Sequence, residues 1–205
     1  MTVQYPILAP YQFARTIEIS QADLVRESVS PYTKKGQFLD YGVGWWEITI
    51  TIPPVPRRQG GQAWFAFLTK LAGRRGTFQC PILNHTVPLG EAAENPGVPR
   101  VNGAGQDASF LDVDGLPANT HGYLDEGDLI QVGTRLYAVT RRCDSGMDGS
   151  ARIHIWPNTE GDHADNTPII VSNAMGLFRL KDNVRSISIE TFNKYGMTLN
   201  AEEAR

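Results

Sequence analysis

The stretch GWWEITITIPPVP at residues 44–56 constrains the fold most, because it alternates with a period of two. In an extended strand successive side chains point to opposite faces, so Trp46, Ile48, Ile50 and Ile52 line one face. Trp45, Glu47, Thr49 and Thr51 line the other. The first set belongs in a core. The second belongs against water, and Trp45 is the exception in it. A Trp among Glu and Thr fits either a ring packed under a loop or an anchor at a contact between subunits.

The same half-buried alternation recurs in ARTIEIS at 14–20 and in RSISIE at 185–190, which predicts strands near both ends of the chain. Only one helix is expected. In GQAWFAFLTKLA at 61–72, Trp64, Phe67, Leu68 and Leu71 fall at i, i+3, i+4 and i+7, a single apolar stripe. Phe65 lies off that stripe. Gly73 is expected as a left-handed C-cap, followed by Arg74 and Arg75 at the negative end of the helix dipole. A strand, TFQCPIL at 77–83, follows, and its Pro81 belongs at an edge or a strand end.

From residue 84 the texture changes. Residues 84–107 are rich in Gly, Pro and Asn and read as a connection. Short strands then follow at 108–113, 128–132, 135–141 and 151–156, with tight turns and no helix between them. Val132-Gly133-Thr134-Arg135 has the form of a hairpin with glycine leading its turn. Such spacing predicts a small antiparallel barrel. The expected fold is therefore mainly β. Residues 1–85 and 171–205, with the one α-helix, share the half-buried alternation of one outer unit, and residues 86–170 form a small antiparallel barrel inserted into it.

Chemical sites are scarce. There is no GxSxG, HExxH or CxxC, and no glycine-rich loop opening a helix. Glu160, Asp162, His163 and Asp165 lie close in sequence, and Asp144, Asp148 and Gly149 resemble a calcium loop. Neither set has the required ligand spacing, so both are read as solvated turns. His85, His121 and His154 are isolated. On the barrel, Arg135, Tyr137 and Arg141 share one strand parity, and Arg152, His154 and Trp156 share another. Basic residues interleaved with aromatics in this way suit a face for carbohydrate or single-stranded nucleic acid. Carboxylates distant in sequence also leave room for a hydrolase, but no enzymatic role, cofactor or metal is expected.

The formal net charge is −3 and 41% of the 205 residues are hydrophobic. That balance fits a folded chain and gives no reason to expect nucleic acid as the main partner. The N-terminus lacks a basic start and a long apolar run, and no stretch matches a membrane span. Synthesis in a cytosol is expected. Cys80 and Cys143 are expected as buried free thiols, although spacing leaves a disulfide open.

The order of these features resembles the distal tail proteins of long-tailed phages, in particular the two-domain kind with an OB-fold module. The resemblance rests on a colinear set: GWWEITITIPP, FLTKLAGRRGTFQCPIL, VNGAGQDASFLDVDG, YLDEGDLIQVGTRLYAVTRRC, ARIHIWP and GLFRLKDNVRSISIE. It spans roughly residues 10–200, and it implies a β-sandwich-like outer domain with one α-helix (1–85 and 171–205) and an OB-fold-like inserted domain (86–170). The resemblance implies a structural virion protein of the tail tip, made in the host cytoplasm and assembled as a homohexameric ring. Its implied partners are copies of itself, the tail tube protein and the tail-tip hub or fibre proteins. DNA would pass through the lumen without sequence recognition, and there is no membrane insertion. Trp45 is then the candidate subunit contact. The alternative is a barrel that binds carbohydrate or single-stranded nucleic acid through Arg135, Tyr137, Arg152, His154 and Trp156. The polar tail KYGMTLNAEEAR reads as a free end or an arm.

Overall fold

A computed structural model describes residues 3–11, 14–161, 163–190 and 193–205. Among the described residues the chain is mainly β, with a β-sandwich-like sheet, one α-helix and a nearly closed six-stranded antiparallel barrel. In chain order, β1 (Ile7–Leu8), β2 (Thr16–Val29), β3 (Gly36–Pro56), α1 (Gly61–Leu71) and β4 (Thr77–Pro81) come first. The barrel follows with β5 (Arg100–Val101), β6 (Phe110–Asp114), β7 (Leu129–Val132), β8 (Arg135–Val139), β9 (Ala151–Trp156) and β10 (Ile169–Ile170). The chain then returns to the first sheet with β11 (Met175–Leu180), β12 (Ser188–Ile189) and β13 (Lys194–Glu203).

The first sheet has the order β1-β4-β11-β13-β3-β2, with β12 paired to β13. Its inner face is the one that parity selects: Trp46, Ile48, Ile50 and Ile52 are all buried, and the intervening residues are half-buried. Ile50 is opposite Leu199, Ile52 opposite Met197 and Ile48 opposite Ala201, so apolar side chains meet in cross-strand pairs. The α1 stripe of Trp64, Phe67, Leu68 and Leu71 covers this face. Phe65 stands off it, 49% exposed. Burying each isoleucine contributes about 2 kcal/mol as an upper estimate. The helix ends one residue earlier than expected, with Ala72 as its left-handed cap and Gly73 also at positive φ. Pro81 sits at the end of β4, where no further ladder donor is needed.

The second sheet, β10-β7-β8-β9-β6-β5, lies wholly between residues 100 and 170. Its two ends approach each other, because the N–H of Val101 reaches the Thr167 carbonyl at 3.0 Å and that of Ile169 reaches Pro99 at 3.0 Å. The β7–β8 hairpin pairs Val132 with Arg135, and Gly133 has φ +60°, a left-handed conformation that suits glycine at the head of the turn. The interior is filled by Leu111, Val113, Ile130, Val132, Tyr137, Val139, Ile153 and Ile155, among others.

Three expectations are corrected. The tail KYGMTLNAEEAR is neither a free end nor an arm: β13 lies between β11 and β3, inside the first sheet. RSISIE is not a half-buried strand, since only Ser188 and Ile189 pair and both are exposed. His163 is buried rather than part of a solvated turn. Both cysteines are free and buried. Burial pushes the Cys80 thiol up to about 12, and burial with the nearby Asp144 charge pushes Cys143 to about 11. Such thiols are nearly devoid of thiolate at neutral pH and are inert. Among the described residues no helix is long and apolar enough to cross a membrane.

Candidate protein–protein interface

β2 pairs with β3 from Thr16 opposite Thr51 to Val29 opposite Gly36. β13 covers the other side of β3 only from Pro56 to Glu47. From Trp46 toward Gly36, therefore, β3 has β2 as its one strand neighbour among the described residues. The two strands leave the sheet as a hairpin arm about 30 Å long, at about 3.3 Å per residue. The sequence pattern ends at Gly44 and gives no sign of it.

No residue of the arm from Asp23 to Tyr41 belongs to either apolar core, yet the arm is rich in large apolar side chains. Leu24, Val25, Val29, Phe38, Leu39 and Tyr41 are exposed, Phe38 by 70%, and Tyr32 at the tip is 95% exposed. Opposed pairs share a face, so Val25 with Asp40 and Glu27 with Phe38 lie on one side, and Arg26 with Leu39 on the other. Both faces thus carry an apolar residue beside a charge. β2 is also the terminal strand of its sheet, so its outer edge presents backbone donors and acceptors. A long edge with exposed apolar residues is a template for a second chain unless something covers it.

Trp45 is less available than the arm. It is half-buried; its Nε1–H donates to Glu47 Oε1 at 3.3 Å, and the Arg205 guanidinium lies 5.9 Å from its ring. Glu47 in turn meets Lys181 at 2.5 Å. These intramolecular partners account for a Trp on the polar face.

The five residues of the expected ligand face do not come together. β8 is buried on both sides. Leu136 and Ala138 pack on the first core, while Tyr137 and Val139 point into the barrel. Tyr137 is fully buried, with its hydroxyl 2.7 Å from His163 Nε2, and Arg135 is buried beside it. Neither offers an open surface. Arg152 is exposed but makes two hydrogen bonds to Asp112, at 2.7 and 2.9 Å, and stacks 4.0 Å from the Phe110 ring centre. His154 packs edge-on to the same Phe110. Trp156 meets Trp46 at right angles, centroids 4.6 Å apart, and donates to Asp23 Oδ1 at 2.8 Å. Arg141 is exposed, beyond the end of β8.

The remaining polar clusters are also occupied by structural bonds. Asp165 accepts the Gly103 N–H at 2.8 Å, and Asp162 lies outside the described residues. Asp144 accepts the Gly122 N–H at 2.6 Å, and Asp148 accepts from the backbone and hydroxyl of Ser150.

Where the two sheets meet, Arg135 lies 3.2 Å from Glu160 Oε2 and 3.5 Å from Glu203 Oε1. Arg205 lies 3.0 Å from the other Glu160 oxygen, and Glu203 also accepts the Trp46 N–H at 3.3 Å. Burial pushes the Glu203 carboxyl above the ordinary glutamate value, while Arg135, the Trp46 N–H and Arg205 pull it down. A raised folded-state pKa means that this group's stabilising contribution is complete below its unfolded pKa of about 4.3 and is lost as pH rises through the folded value. Glu203→Gln lacks that titration. Urea unfolding of both proteins should therefore show the wild type losing stability relative to the variant between pH 4 and the raised value. A difference that stays constant from pH 4 to 8 would refute the assignment.

Comparison with known proteins finds no family model that matches the chain and no matching curated sequence.

Proposed function

We propose that this chain is a structural subunit that assembles with copies of itself into a ring, of the kind found at the tip of long phage tails. In that reading it sits in the virion between the tail tube and the hub or fibre proteins and performs no catalysis. The observation that carries the proposal is the hairpin arm. A two-stranded ribbon is marginal in water by itself, and this one holds apolar side chains on both faces outside any core.

A second copy is the occupant that these features favour. An edge strand adds main-chain hydrogen bonds to a partner strand or surface, and the apolar residues on both faces of the arm add side-chain contacts. An arm that leaves one side of a subunit and covers a different surface on the next makes a heterologous contact. Such contacts close into a ring when the rotation between neighbours divides a full turn. The resemblance in sequence order to distal tail proteins supports a hexameric ring in particular. The small net charge of −3 suits a lumen through which DNA slides without sticking.

Light scattering coupled to size exclusion, across a wide concentration range, with negative-stain imaging of the same fractions, tests the reading. Closed rings are expected, and antibody against the chain should label the tail tip of particles. A monomer at every concentration, together with particles unlabelled at the tip, would exclude it.

A further inference from the structure

We infer that Trp156 is a latch from the barrel that sets the direction of the hairpin arm. The arm leaves the sheet where β13 stops pairing with β3, between Glu47 and Trp46. A ribbon with no third strand has no sheet to define its angle, so contacts at its root must do so. Within the first sheet's own chain, Glu203 accepts the Trp46 N–H and Arg205 donates to the Gly44 carbonyl.

The barrel supplies the rest. Trp156, the last residue of β9, donates from Nε1 to Asp23 Oδ1 on one strand of the arm, at 2.8 Å. Its ring lies against the other strand at Gly44, where a Cβ would come within 2.8–2.9 Å of the indole. It also meets Trp46 in the core at right angles. Asn158 approaches Gly42 in the same way, at 3.2 Å from where a Cβ would be. One indole therefore touches both strands of the ribbon at the same level.

Immediately beyond the latch the pairing is irregular. Asp23 is opposite Gly44 and Val25 opposite Asp40, so Leu24 faces the longer stretch Tyr41-Gly42-Val43. Gly42 has φ +67° and donates its N–H to Asp40 Oδ1 at 2.8 Å. Unequal strand lengths of this kind bend and twist a ribbon and re-aim its outer part. A bend placed directly above a clamp converts the clamp's position into the arm's direction. The barrel thereby decides where the exposed apolar residues of the arm are presented. The latch needs no assembly to exist, although the use given to the arm rests on the proposed ring.

Spin labels at Thr33→Cys on the arm's turn and Thr134→Cys on the barrel measure the angle as a distance; Cys80 and Cys143 are buried and stay unlabelled. Labelled chain diluted into excess unlabelled chain removes distances between subunits. A single narrow distribution is expected in the parent. Asp23→Ala, at an exposed side chain, should broaden it at least twofold, and Gly44→Val, which expels the indole, should shift its centre as well. Trp156→Phe, which loses the same hydrogen bond and part of the indole packed on Gly44, should broaden it at least as much as Asp23→Ala. Distributions in Asp23→Ala and Gly44→Val identical to the parent would overturn the latch, with thermal melts of the same proteins confirming that both are folded. A broadened distribution in a protein that never forms rings would keep the latch and remove the ring. Rings with an unaltered distribution would do the reverse.

Discussion

Replacing residues 24–43 by Asn-Gly is expected to give a chain that folds normally and no longer assembles. Asp23 and Gly44 are directly opposed, so a two-residue turn of that type closes the ladder in register. No residue from Asp23 to Tyr41 lies in either core cluster, so the deletion opens no core cavity of the kind behind large stability losses. Melting temperature should therefore match the parent closely, and circular dichroism should lose only the strand signal of the arm itself. Scattering mass should fall from that of a ring to that of one chain at every concentration tested. Rings formed by the shortened chain would show that the arm is not the assembly element, and a lost melting transition would show that it is part of the fold.

Trp46→Ala has the largest expected effect on stability, a loss of about 3–5 kcal/mol. Trp46 is 3% exposed, packs on Trp156 and donates its indole N–H to the Leu136 carbonyl at 2.8 Å. The substitution removes the ring, leaves a cavity between the sheets and orphans a buried acceptor on β8. In a chain of this size the midpoint should fall by about 10 °C or more. Trp46→Phe keeps most of the apolar contact and should lose about 1–3 kcal/mol through the unmade bond. Trp45→Ala should cost about 1 kcal/mol, because its ring is half-buried and its partners are the Glu47 carboxylate and the Arg205 cation. Equal losses at the two positions, by calorimetry or urea unfolding, would contradict the division of labour between the faces.

How far these features were legible depended on what each segment's burial does to its pattern. Strand β3 was readable from Trp46 to Ile52 because one face is core and the other is wet. Its continuation to Gly36 was not, since both faces of the arm are exposed and nothing imposes a period of two. β8 failed for the opposite reason. It is buried on both sides, so parity could not say that Tyr137 points into the barrel while Leu136 joins the other core. β13 carries only two large apolar residues on its inner face, Met197 and Leu199, and ends on the buried Glu203. Its partner charge, Arg135, is distant in sequence, so the segment read as a polar tail. RSISIE misled in the other direction: it alternates, but its serines and Ile189 meet solvent, and Arg185 instead reaches the Leu68 carbonyl at 2.6 Å.

Local pattern dictates the elements whose period comes from one-sided burial: the Trp46–Ile52 face, the stripe of α1, and the short strands and glycine turn of the barrel. These depend on side-chain period and local backbone preference, which are properties of neighbours along the chain. Long-range packing, by contrast, makes β13 complete the first sheet, buries Arg135 and Tyr137, and brings Trp156 to the root of the arm. Each of those depends on which surface comes to lie opposite, and residues far apart in sequence set that.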